Sequence, residues 1–102
     1  MAYSVRWADS AIAAVAEHVE YIARDSPSYA ATLVERSESA AASLFQFPRR
    51  GRVVPEYGDE TIREIFIDRY RLIYRVRGDD VLIVAFVHGA RNFSASLPSI
   101  PE

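Results

Sequence analysis

The most constraining stretch of this chain is residues 62–88, where three β-rich runs are separated by two turn signals. Ile62–Ile67, Tyr70–Arg77 and Val81–His88 are dominated by the β-branched and aromatic residues that suit a pleated, half-buried surface. Asp68-Arg69 and Gly78-Asp79 leave two residues for each connection, enough for a hairpin and too few for a crossover. The stretch predicts a three-stranded antiparallel meander. Its last run is nearly continuous in apolar residues, as in a strand with neighbours on both sides. A meander buries its apolar face only against another layer, so the upstream residues must supply one.

They do. Tyr3, Val5 and Trp7 alternate with Ser4 and Arg6, the period of a half-buried strand. Asp9 or Ser10 offers an N-cap for a helix through about Arg24, with Ile12, Val15, Val19 and Ile22 on one stripe. Glu17, His18, Glu20 and Tyr21 fall off that stripe, which puts His18 at the surface. Asp25-Ser26-Pro27 ends this helix and starts another, with Ser26 as N-cap and Pro27 in the first helical position. The second helix is predicted to reach Phe47, where Pro48 stops it, and to turn Leu33, Val34, Ser37, Ala41, Leu44 and Phe45 inward. Alanines on both helices allow close approach, hence an antiparallel helical hairpin. Residues 49–60 are polar, contain Gly51, Pro55 and Gly58, and read as a loop; residues 94–102 lack periodicity and read as a frayed tail. The expected fold is α+β, one domain over residues 1–93: an N-terminal strand, the helical hairpin, then the meander.

Side chains on a strand alternate between faces, so two-residue turns fix which residues share a side. One face then holds Ile65, Ile67, Tyr70, Leu72, Tyr74, Val76, Val81, Ile83, Ala85 and Val87, an apolar floor for the helices. The other holds Glu64, Phe66, Arg71, Ile73, Arg75, Leu82, Val84, Phe86 and His88. An arginine near the middle of a strand needs water, a carboxylate or a ligand. Two readings of this second face follow: Arg71 pairs with Glu64 on a wet surface, or the face is a basic, aromatic-lined concavity for a macromolecule.

Composition narrows the classes. The chain has no cysteine, so disulfides and thiolate chemistry are out, and a reducing cytoplasm suits it. No signal peptide is visible, and no apolar run approaches the roughly 20 residues that span a bilayer. All 12 cationic side chains are arginine, against 14 carboxylates, and a pI of about 5.7 is a poor match for a generic nucleic-acid binder. The charge is uneven: residues 1–47 carry three arginines and six acids, residues 48–93 nine and seven. Arginine's planar fork suits phosphate or carboxylate recognition. Two distant histidines give no metal signature and no glycine-rich phosphate loop is present, so neither metal nor cofactor is expected.

The order of elements, together with Gly51-Arg52-Val53-Val54-Pro55-Glu56, Ile62-Arg63-Glu64, Tyr70-Arg71-Leu72-Ile73-Tyr74-Arg75-Val76 and Val87-His88-Gly89-Ala90-Arg91-Asn92, resembles the RelE/ParE superfamily of toxins from type II toxin–antitoxin systems. The resemblance implies a growth-arresting toxin silenced by a cognate antitoxin encoded by an adjacent gene. Its target is then either DNA gyrase, blocked by binding in ParE-like members, or mRNA in the ribosome, cut by RelE-like members without a metal. By resemblance to the nucleases, Arg71 falls on a phosphate-stabilising arginine, His88 on a catalytic histidine of some members, and Glu56 near a glutamate base. Arg63, Arg71, Arg75, Phe86 and Arg91 are the corresponding target-binding candidates. Gly89 and Phe93 stand where many nuclease members keep a tyrosine, and their lysine cluster is missing. The His88-to-Asn92 ending is close to the ParE-like one, and the reading leans that way.

Overall fold

A computed structural model describes residues 3–89. In chain order it contains β1 (Ser4–Trp7), α1 (Asp9–Ala23), α2 (Pro27–Ser43), β2 (Arg52–Val53), β3 (Ile62–Ile67), β4 (Tyr70–Arg77) and β5 (Asp80–His88). The strands form one sheet in the order β1-β5-β4-β3-β2. The α+β layering is the expected one. Two features extend it: β1 joins the meander through a parallel pairing with β5, and Arg52–Val53 of the expected loop forms a short antiparallel strand on β3.

The helix ends follow local chemistry. Ser26 caps α2, its Oγ accepting from the Tyr29 N–H at 3.2 Å, with Pro27 beside it. The N-cap of α1 is Ala8, not Asp9 or Ser10, and no side chain caps it; the Ala8 N–H instead donates to the Ile83 carbonyl, tying the helix start to the sheet. The second helix stops at Ser43, short of Phe47. Leu44 caps it from the core, while Phe45 and Phe47 are left exposed. Both hairpin turns have the expected two residues. Asp68, at φ 55°, takes the left-handed conformation, and its carboxylate accepts from Tyr29 Oη at 2.8 Å and Arg36 at 3.0 Å, pinning the turn to α2.

One residue overturns the expected faces. Ile73 pairs with Ala85, but the next pair is Tyr74 with Ile83, so Val84 is the extra residue of a β-bulge. Before the bulge Val81 and Ile83 lie with Val76 and Tyr74, as alternation predicts. After it the parity flips. Phe86 and His88 now share the helix side with Leu72 and Tyr70, whereas Ala85 and Val87 join Ile73 and Arg71.

Each face carries its own core. Under the helices, Ala11, Leu33, Leu44, Leu72, Tyr74, Ile83 and Phe86 pack together. On the far side, Val54, Ile62, Ile73, Leu82, Val84 and Ala85 form a second cluster, with Tyr57 packed against it. That face is not the wet surface that one of the two readings supposed. Fully burying a side chain of this size contributes about 1.5–3 kcal/mol, so residues 54–57 add stability by covering it.

Candidate functional site

The site is built on the bulged, far side of the sheet. Arg71 stands opposite Phe66 across the β3–β4 pair. It is nearly buried, and its guanidinium is engaged on several sides: Nη1 donates to both Glu56 oxygens at 3.0 Å and to Glu64 Oε1 at 3.2 Å, and Nε donates to the Gly89 carbonyl at 3.2 Å. The other Glu64 oxygen accepts from Arg52 Nε. Glu64 is fully buried, and its charge is balanced by these two arginines. The result is an alternating Arg52–Glu64–Arg71–Glu56 chain. The pairing of Arg71 with Glu64, one of the two sequence readings, is realised and extended.

Backbone geometry assembles the chain. Arg52 faces Glu64 in the β2–β3 pair, and the turn after β2 delivers Glu56. That close approach depends on Gly51, whose N–H donates to Tyr74 Oη at 2.9 Å; a Cβ there would lie 2.6 Å from the Glu64 carbonyl oxygen. Phe66 completes the surface. Half exposed, it has the Arg52 guanidinium 5.0 Å and the Arg71 guanidinium 5.9 Å from its ring centroid. Electrostatics follow contact: the Arg71 hydrogen bond holds Glu56 below the ordinary carboxylate pKa against the opposing effect of burial. Burial opposes the Arg71 charge, but Glu56 and Glu64 outweigh it and raise its pKa.

The other expected site residues scatter. Arg75 is on the Arg71 side but buried opposite Ile62 and Leu82. Arg63 falls on the helix side, where Nη1 donates to the Gly51 carbonyl at 2.9 Å and Nε to the Glu60 carbonyl at 3.1 Å. Phe86, expected at an open surface, is 1% exposed and stacks on Tyr70 at 4.9 Å. His88 is exposed but on the helix side, edge-on to Tyr70 at 5.6 Å. Arg91 lies outside the described residues, as does the expected tail. His18 is not simply at the surface: it packs edge-on against Tyr70 and Phe86, and its pKa is lowered mainly by burial, with Glu17 raising and His88 lowering it.

The structure thus brings Arg71 to Glu56 and separates both from His88. Arg52 was invisible to periodicity because a two-residue strand is too short to show any. Phe66 was readable, because alternation from Glu64 puts it on the Arg71 side. Among the described residues no group of three or more His, Cys, Asp or Glu is placed to hold a metal, and no helix is long and apolar enough to cross a membrane.

The fold is shared with known proteins. A chromosomal ParDE toxin–antitoxin structure from P. aeruginosa superposes with a TM-score of 0.70 at 18% identity, covering 84% of this chain and 95% of that one. The RelBE2 toxin–antitoxin complex from Mycobacterium tuberculosis gives 0.57 at 23%, covering 86% and 99%, and an E. coli toxin RelE mutant with two arginines replaced by alanine, in the free state, gives 0.61 at 19%, covering 88% and 86%. At these identities the likeness shows the fold. No curated protein sequence matches significantly. The family described as "ParE toxin of type II toxin-antitoxin system, parDE" matches residues 5–93. The chain therefore belongs to the ParE toxin family of type II toxin–antitoxin systems.

Proposed function

We propose that this toxin arrests growth as ParE-like proteins do, by binding DNA gyrase without cleaving nucleic acid. The observation that carries this reading is the occupied state of Arg71. Phosphoryl-oxygen chemistry on RNA needs a base, an acid and a cation converging on one phosphate. Here the cation is neutralised by Glu56 and Glu64, and His88 lies across the sheet. Arg52 and Phe66 provide instead an exposed cation–aromatic surface for a protein target, with Arg71 behind them. Purified toxin should inhibit gyrase supercoiling, and Phe66→Ala should weaken inhibition. Growth arrest should survive His88→Ala. Truncated transcripts after induction, with supercoiling unaffected, would reject the proposal.

A second reading rests on the direct Glu56–Arg71 contact. In it the ionised Glu56 is the base and Arg71 turns to a phosphate in the ribosome, a metal-independent RelE-like cleavage. Glu56→Gln abolishing mRNA cutting would favour it.

In either case an antitoxin encoded beside this gene silences the chain. Trp7, Ile12, Val15, Val19 and Val34 line an apolar groove along the helices, with Ile12 half exposed; an apolar segment of the antitoxin fits there. Ile12→Asp should abolish co-purification with the antitoxin while the toxin remains folded.

A further inference from the structure

Away from the Arg71 surface, the turn between α2 and β2 carries an uncompensated positive charge. No acidic residue occurs between Ser39 and Pro55, a stretch that contains Arg49, Arg50 and Arg52. Arg52 is committed to Glu64, but Arg49 and Arg50 have no carboxylate partner among the described residues. Arg50 donates to Ser43 Oγ at 2.7 Å, and Arg63 reaches under the turn to the Gly51 carbonyl and, at 3.4 Å, the Arg49 carbonyl. Burial raises the Tyr74 pKa, while the Gly51 hydrogen bond and then the charges of Arg63, Arg50 and Arg49 pull against it.

Aromatic rings flank this charge. Tyr3, Phe47, Pro48, Arg49 and Arg50 line one groove, and Phe47 is 62% exposed. The neighbouring hollow beyond Arg50 is mixed in charge, with Glu35, Glu38 and Asp68 beside Arg36, whereas the groove carries arginine alone among its charged residues. An exposed aromatic face, here Phe47, beside guanidiniums that lack a carboxylate supplies the two components that bind single-stranded nucleic acid, a ring to stack on a base and cations to follow the phosphates. Tyr3, partly buried against the core, forms the groove wall. A purely acidic peptide such as oligoglutamate would engage the arginines and not the exposed Phe47 ring.

We infer that the groove between Tyr3, Phe47, Arg49 and Arg50 binds single-stranded nucleic acid, independently of the gyrase surface. Phe47 accepts a base and the arginines the adjoining phosphates, with Arg63 holding the turn in shape from beneath.

The test is fluorescence anisotropy of a labelled twelve-nucleotide oligothymidylate with the purified full chain, over a range of salt concentrations. Binding is expected at low salt. Phe47→Ala should weaken it about tenfold. Arg49→Ala and Arg50→Ala should each reduce the magnitude of the salt slope by roughly 0.7. Arg36→Ala, outside the groove, should leave binding unchanged, and circular dichroism confirms that each variant is folded. Arg49→Glu, an exposed charge reversal, should abolish binding. The inference is overturned by no binding at 50 mM salt, by binding indifferent to Phe47→Ala and Arg49→Glu, or by equal competition from an oligoglutamate peptide. Because gyrase inhibition is measured separately, failure here and failure of the proposed function are distinguishable.

Discussion

The two faces of the sheet are buried to similar depth by opposite means. The helix side is apolar, closed by Tyr70 stacked on Phe86 with His18 at their edges. The far side encloses a carboxylate and an arginine within an apolar cluster and balances them with Glu56 and Arg52. The first face loses stability in proportion to the atoms removed. The second is all or nothing, because a buried charge left without its partner costs several kcal/mol while the intact pair contributes little net. A face of the second kind holds a surface in one geometry rather than adding stability, which suits a recognition site.

This contrast can be broken by experiment. Glu64→Ala should have the largest effect, about 4 kcal/mol in denaturant unfolding, because it removes the charge-assisted hydrogen bonds to both Arg52 and Arg71 and leaves Arg71 with Glu56 alone. A loss below about 1 kcal/mol would show the network to be solvated. Phe86→Ala should cost about 3 kcal/mol by the same measurement, as a cavity rather than an orphaned charge. Glu56→Gln should cost about 2 kcal/mol at neutral pH, the value of a hydrogen bond to a charged group. Its pH dependence has a definite sign. A carboxylate whose folded pKa is depressed contributes stability above its ordinary 4.5 and loses it as pH falls through the folded value, so wild type should weaken over that range more than the variant, which keeps only the contribution of groups such as Asp59.

His18 supplies a smaller step from the opposite face. Its folded pKa is lowered, so the folded state favours the neutral ring and stability declines as pH falls below the ordinary 6.5. His18→Gln should flatten that region of the stability profile and leave the lower step intact. Arg36→Ala should be the smallest change, under about 1 kcal/mol, since its bond to Asp68 is solvent-exposed; a larger loss would mean that the turn depends on that pin.

Element type was legible in the sequence wherever a run exceeded a few residues. Ser26-Pro27, the two-residue turns and the apolar third run of the meander each carried a local physical signature. What escaped was decided by pairing. Val84 is apolar like its neighbours, so nothing in the local pattern marks it as the extra residue, yet it moved Phe86 and His88 to the other side. Glu56 and Arg71 were both singled out, but their contact depends on β2, a strand of two residues held by Gly51 and Tyr74. The burial of the far face was equally invisible, since Val54 and Tyr57 lie in a stretch whose composition reads as loop.

The parallel seam between the first and last strands has a consequence for synthesis. Ser4 meets Asp80 and Trp7 meets Ile83, so β1 leaves the ribosome well ahead of its partner and stays unpaired until β5 has followed it. Closure of this distant pairing is a late and slow event compared with forming the local hairpins. A nascent toxin therefore spends most of its translation time with β1 unpaired and α1 lacking its floor, and acquires its finished surface only after β5 has emerged.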